Sequence, residues 1–177
     1  MRNLKELQEK TLTWAHQRGI LTNGKATTQA LKLVSEAGEL CQHHLEAKDI
    51  KDDIGDCLVV LTNLSSLTKC DFDASIAIKN KPVLVGDIWY MIVKLNSILG
   101  NLCDNVAKDL SIEAEIYYSF YILTAIADLK DTTLEECWNL AYNDIKDRKG
   151  FLNAQGNFIK STDANYEQLL MEFEAGN

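Results

Sequence analysis

Proline is almost missing from this chain: Pro82 is the only one in 177 residues, and glycine is confined to nine positions. So few helix breakers favour an all-α fold. Long apolar runs are missing as well. None approaches the roughly 20 residues that a membrane-spanning helix needs, and Met1-Arg2-Asn3-Leu4-Lys5-Glu6 lacks the apolar core of a signal peptide. There is no excess of cations, and a net charge of −8 argues against a nucleic-acid partner. The five cysteines (Cys41, Cys57, Cys70, Cys103, Cys137) are odd in number and include no C-x-x-C pair. Buried free thiols in a reducing cytoplasm are therefore expected in place of disulfides or zinc. The expected setting is intracellular and soluble. What is present is ordinary globular composition, 46% hydrophobic and 25% charged, in a length suited to one domain.

Hydrophobic periodicity divides the chain into helices. Residues 3–18 form the first, with Leu4, Leu7, Thr11 and Trp14 along one side and Gly19 to stop it. A linker over 20–26 holds the turn signal Asn23-Gly24. Thr27 or Thr28 caps a helix running to about residue 46, and Asp49 begins a mostly buried one to residue 67. Gly38 inside the former calls for a reason, such as a close helix contact or ligand approach. Residues 71–82 are weaker, helical at best over 74–79, and Pro82 breaks the chain before a helix over 85–105. Ser111 caps a helix to about residue 130, and Thr132 or Thr133 caps one over 134–148. Gly150 ends it, and 151–160 alternates around a turn-forming centre as a small β-hairpin. Residues 164–174 form a short helix or a loosely held tail. The expected architecture is an antiparallel helical bundle: one domain over 1–160, then a tail over 161–177.

Sliding the sequence by 62 positions places Leu33 on Leu95, Gly38 on Gly100, Leu40 on Leu102 and Cys41 on Cys103. It continues with Ile50 on Ile112, Ile54 on Ile116, Leu58 on Phe120, Leu61 on Leu123 and Leu64 on Ile126. The apolar positions keep register while the acids do not: Glu36 falls on Ile98, Glu39 on Asn101 and Asp56 on Tyr118, and Asp53 keeps only Glu115. Either a helical hairpin has been duplicated and its second copy, within 70–132, has lost an acidic cluster, or two amphipathic hairpins align by shared loop length.

That cluster is the most informative feature. Glu36 and Glu39, and again Asp53 and Asp56, lie three residues apart and share a helix face. If the two helices pair antiparallel, four carboxylates converge beside the apolar runs 57–61 and 33–40. They raise one another's pKa unless a cation intervenes, and a hard divalent ion such as Mg²⁺ is the natural guest. The bland alternative is two acidic patches on solvated helix faces.

Ser35-Glu36-Ala37-Gly38-Glu39 followed by Asp53-Ile54-Gly55-Asp56 resembles the EExxE, spacer, ExxD pattern of the MazG-like nucleoside triphosphate pyrophosphohydrolases. Trp14, Arg18, Gln29 and Lys32 before the acids fit too, as does 141–150 running into the hairpin through Lys160. The resemblance covers about residues 5–67 and 133–160. It departs at Ser35, where the family has Glu, and at Asp53, one methylene shorter than Glu. It implies cleavage of a nucleoside triphosphate between the α- and β-phosphates, giving the monophosphate and pyrophosphate. Glu36, Glu39, Asp53 and Asp56 would hold Mg²⁺, for which Mn²⁺ can substitute, to bridge phosphates and activate water. Glu36 or Glu39 would orient that water or take its proton. Lys32, Lys146 and Arg148 would offset phosphate charge, and Asn143 and Tyr142 would touch phosphate or sugar. For Lys146, Arg148 and Lys149 the alternative is favourable placement near a helix C-terminus. The resemblance also implies a homodimer or tetramer.

Trp14 reads first as core and second as a base-stacking platform. His43 and His44, about 100° apart on a helix, cannot share one site and read as surface residues. Trp89, Tyr117, Tyr118, Phe120 and Tyr121 read as core or subunit interface. The rival functions are a phosphoribosyl-ATP or dUTP-type pyrophosphohydrolase and a non-catalytic helical regulator with a relic acidic cluster.

Overall fold

The computed structural model describes residues 2–79 and 85–175. In chain order the elements are α1 (Arg2–Gln17), α2 (Ile20–Asn23), α3 (Ala26–Leu45), α4 (Lys51–Leu67), α5 (Ala74–Lys79), α6 (Ile88–Ala107), α7 (Glu113–Leu129), α8 (Leu134–Ile145), β1 (Gly150–Leu152), β2 (Phe158–Lys160) and α9 (Tyr166–Ala175). This is the helical bundle with a small C-terminal hairpin that the sequence led one to expect. The break expected at Pro82 lies outside the described residues. Among the described residues no helix is long and apolar enough to cross a membrane. All five cysteines are free thiols.

The bundle is arranged about α4. Ile54, Cys57, Leu58, Leu61 and Leu64 have no exposed surface, and the helix packs against α3, α8, α1 and α7. A helix apolar on nearly every side must be buried on nearly every side. Gly55 permits the closest of these approaches: a Cβ there would sit 2.2 Å from the Cys137 carbonyl oxygen and 2.7 Å from Ala141 Cβ on α8. Where α1 meets α8, Trp138 Nε1 donates to Thr11 Oγ1 at 3.0 Å, and neither residue has exposed surface.

The 62-residue offset is visible in the backbone. Adding 62 to the bounds of α3 and α4 gives the bounds of α6 and α7. The loops match as well: Ala47 and Asp109 have φ of 55° and 54°, and Lys69 and Asp131 have 56° and 51°. Leu33 and Leu95, Leu40 and Leu102, and Ile54 and Ile116 are buried as pairs. The glycines at 38 and 100 have no packing reason, since a Cβ at either position meets nothing within 4 Å.

Several local expectations are corrected. The linker after Gly19 (φ +74°) is the single helical turn α2. Neither Thr27 nor Thr28 caps α3, whose N-cap is Lys25 without a side-chain bond. Thr28 Oγ1 instead donates to the Gln155 carbonyl at 3.3 Å, which seats the hairpin turn on the start of α3. Asp49 lies before α4 and accepts from the Lys51 amide at 3.1 Å. Helix α8 stops at Ile145 rather than 148, while its start carries the capping box of Thr133 and Glu136. The hairpin pairs Gly150 with Lys160, Phe151 with Ile159 and Leu152 with Phe158. Phe151 in turn meets Tyr166 and Phe173 of α9 at 5.7 and 5.1 Å between ring centroids. Of the aromatic group, Phe120 is core, whereas Trp89 and Tyr118 are 43% and 53% exposed.

Candidate functional site

A cleft of about 370 Å³ opens where α3 and α4 meet the end of α8 and the hairpin. Helical spacing builds two of its walls. Gln29, Lys32, Glu36 and Glu39 recur at intervals of three and four along α3, and Asp56, Val59, Val60 and Asn63 stand at i, i+3, i+4 and i+7 on α4. The hairpin adds Asn157, Phe158 and Lys160, and the end of α8 adds Ile145 with Arg148 just beyond it. Trp14 completes the apolar side, its ring centroid 6.4 Å from that of Phe158.

One end of the cleft is acidic. Glu36 is 5% exposed and paired with Lys32 one turn earlier on α3. Burial, and then the charges of Glu36 and Asp52, push Asp56 up to about 7, while Arg148 and Lys32 pull the other way. Glu39 is exposed and lines the same cleft. Three of the four expected carboxylates therefore share one space, with Lys32, Arg148 and Lys160 as the cations around them.

Asp53 sits differently. Both of its carboxylate oxygens are 2.9 Å from His43 Nδ1, across the hairpin from α4 to α3, and it is not part of the cleft lining. Adding 62 to each number gives Asn105 and Glu115, and Asn105 Nδ2 donates to Glu115 Oε1 at 3.1 Å. The same cross-hairpin bond thus occurs in both copies, including the one without the acidic cluster. His43 is therefore not a free surface residue, and Asp53 acts as one half of a clasp. His44 also departs from expectation: its ring lies 4.7 Å from that of Trp89 on α6.

The expected phosphate-binding residues divide in the same way. Lys32 and Arg148 line the cleft. Asn143 and Lys146 do not: both are exposed, with Lys146 Nζ donating to Asn143 Oδ1 at 2.9 Å. Arg148 is held by Asp144, one turn back. Ser35, standing where the family pattern has Glu, is exposed and outside the cleft. Sequence reasoning missed Lys160, Asn157 and Asn63. Only Asn63 carried a signal, as an amide interrupting the apolar run of α4 at helical spacing from Asp56.

No three carboxylate, imidazole or thiol groups among the described residues form a ready-made metal-binding set. The donor chemistry still fits a hard cation. Glu36, Glu39 and Asp56 offer only oxygen donors, and burial first, then the neighbouring carboxylates, pushes the Asp56 carboxyl up to about 7.

No family model matches the chain, and no solved structure matches it. The chain is similar to an uncharacterized 18.2 kDa protein in the rep–hol intergenic region of Haemophilus phage HP1 (strain HP1c1). The two are 36% identical over 73 residues, which is 40% of this chain and 45% of that protein. The likeness spans less than half of either molecule.

Proposed function

We propose that this chain is a divalent-metal-dependent pyrophosphohydrolase that splits a nucleoside triphosphate into the monophosphate and pyrophosphate. The observation that carries the reading is that Glu36, Glu39 and Asp56 line the same cleft as Trp14, Phe158, Gln29 and Asn63, which are aromatic or amide-bearing. A nucleotide has that same polarity, with dense negative charge at one end and a flat, hydrogen-bonding ring at the other.

Each residue then has a role that follows from its position. Glu36 and Asp56, with Glu39 at the open side, are the oxygen donors that would hold Mg²⁺ or Mn²⁺. Such an ion, when bound, would screen phosphate charge and activate water for attack. Lys32, Arg148 and Lys160 neutralise the remaining phosphate oxygens. Glu39, exposed and lining the cleft, is the base that takes a proton from water. Lys32 pairs with the buried Glu36 carboxylate one turn along α3. Asp53 orients α3 against α4 through His43.

The reading is tested by incubating the protein with each ribo- and deoxyribonucleoside triphosphate and Mg²⁺. Pyrophosphate release from at least one nucleotide, lost on adding EDTA, is the expected result. Orthophosphate release, or no turnover on any of them, overturns it. The latter would favour the non-catalytic regulator.

A further inference from the structure

The end of the cleft away from the acids contains polar groups that the fold itself leaves unpaired. Asn63 is 2% exposed, and its Oδ1 has no hydrogen-bond partner. Trp14 is 7% exposed, and its indole Nε1 has none either. Gln29, 8% exposed, is bound only loosely to Asn63, with Asn63 Nδ2 to Gln29 Oε1 at 3.5 Å. That distance is at the outer limit of a hydrogen bond, so the two amides are close without satisfying each other. All three residues line the cleft. A buried polar group without a partner destabilises the fold, and two such atoms in one cleft point to a bound group that completes them.

The unpaired atoms are an acceptor on Asn63 and a donor on Trp14, beside an amide that offers both. The complement is a flat edge with alternating donors and acceptors. The surroundings add Val59, Val60 and Phe158, which suit a ring face. Position along the hairpin supplies a length. Gln29 lies seven residues before Glu36 and Asn63 seven after Asp56, so in an antiparallel pair both are displaced the same way, by about 10 Å at 1.5 Å per residue. A pentose and its phosphate bridge a gap of that order.

We propose that Asn63 and Gln29, with the Trp14 indole N–H, bind the hydrogen-bonding edge of the nucleobase and set which base the cleft accepts. This rests on the nucleotide reading of the cleft. It assigns the specificity of the site to two buried amides that take no part in holding metal or phosphate.

The test uses binding, so that it stays separate from turnover. Affinities of the intact protein with Mg²⁺ are measured calorimetrically for the α,β-imido analogues of the nucleoside triphosphates and for inorganic tripolyphosphate. At least one analogue should bind about tenfold or more tightly than tripolyphosphate, the worth of one or two buried hydrogen bonds. Asn63→Leu, close in size to the residue it replaces, should bring that analogue down to the tripolyphosphate value while tripolyphosphate binding stays unchanged. Gln29→Leu provides the same comparison in a second protein, and circular dichroism confirms that each is folded. The proposal is overturned if both variants keep the base preference, in which case the amides hold only water. It is also overturned if no analogue binds more tightly than tripolyphosphate. Base-selective binding without hydrolysis would keep this assignment and remove the pyrophosphohydrolase reading; hydrolysis with the preference intact in both variants would do the reverse.

Discussion

Asp56 shows how a single carboxyl group can set the stability of the whole domain against pH. Its folded-state pKa, about 7, lies well above the roughly 4 of an unfolded aspartate. A raised carboxyl pKa favours the folded state while the group is protonated, and that contribution fades as pH rises through the folded value. The metal-free protein should therefore lose stability between about pH 4 and 7, from the unfolded to the folded value, on account of this group. Asp56→Asn, which removes the ionisation, should be more stable than the parent at pH 8 by roughly 1–3 kcal/mol after allowance for partial exposure. At pH 4.5 the two should be nearly equal, and Mg²⁺ should narrow the gap at pH 8 by stabilising the parent. Urea denaturation at the two pH values checks this; a variant less stable than the parent at pH 8 would contradict it. Asp53 provides the contrast. It is 7% exposed, and its bond to His43 opposes the upward push of burial on its carboxyl, so Asp53→Asn should change stability at pH 8 less than Asp56→Asn and cost little Mg²⁺ affinity. Glu36→Gln should cost much of that affinity. Equal losses of metal affinity in both variants would show that Asp53 is a ligand after all.

At the scale of elements, the glycines separate packing from propensity. A Cβ at Gly55 would run into the Cys137 carbonyl and Ala141, so α4 and α8 cannot stay at their present distance with alanine there. Gly55→Ala should cost on the order of 2–3 kcal/mol through overpacking. Gly38→Ala and Gly100→Ala, with open space at both positions, should each stabilise by about 1 kcal/mol through helix propensity alone. Thermal unfolding of the three variants checks the order, and a destabilising Gly100→Ala would mean that the second hairpin packs against something further. Helix positions and the 62-residue repeat were legible because apolar spacing alone encodes them, and α5 was found at its observed bounds. The caps were less legible. Thr27 or Thr28 was expected to cap α3, but neither does, and the Thr28 hydroxyl donates to the Gln155 carbonyl, more than a hundred residues away. A local rule cannot anticipate a distant competitor for the same side chain.

At the scale of the whole molecule, the candidate site is legible in the sequence only as far as one hairpin reaches. Glu36, Glu39 and Asp56 came from spacing on two adjacent helices, and the structure places all three in the cleft. Lys32 lies one turn from Glu36, but the other cations were harder to read, because the chain must fold back through α8 and the hairpin before Arg148 or Lys160 can approach the acids. Of Lys146 and Arg148, two residues apart, only Arg148 faces the cleft, and Lys160 arrives on β2. The repeat helps to explain why one cleft of this kind is expected. The second hairpin kept the core positions and the clasp of Asn105 with Glu115 but carries Ile98, Asn101 and Tyr118 where the first has acids. It retains what holds a hairpin together and lacks what would hold a cation.

The proposed activity rests on the acid end of that cleft performing one particular cleavage. The measurement that reaches it most directly is product analysis after incubation with Mg²⁺ and the nucleoside triphosphate that the protein binds most tightly. Nucleoside monophosphate and pyrophosphate in equal amounts from the parent protein, and neither from a folded Glu36→Gln variant, is the predicted result. Nucleoside diphosphate with orthophosphate, or unchanged turnover in Glu36→Gln, would contradict it.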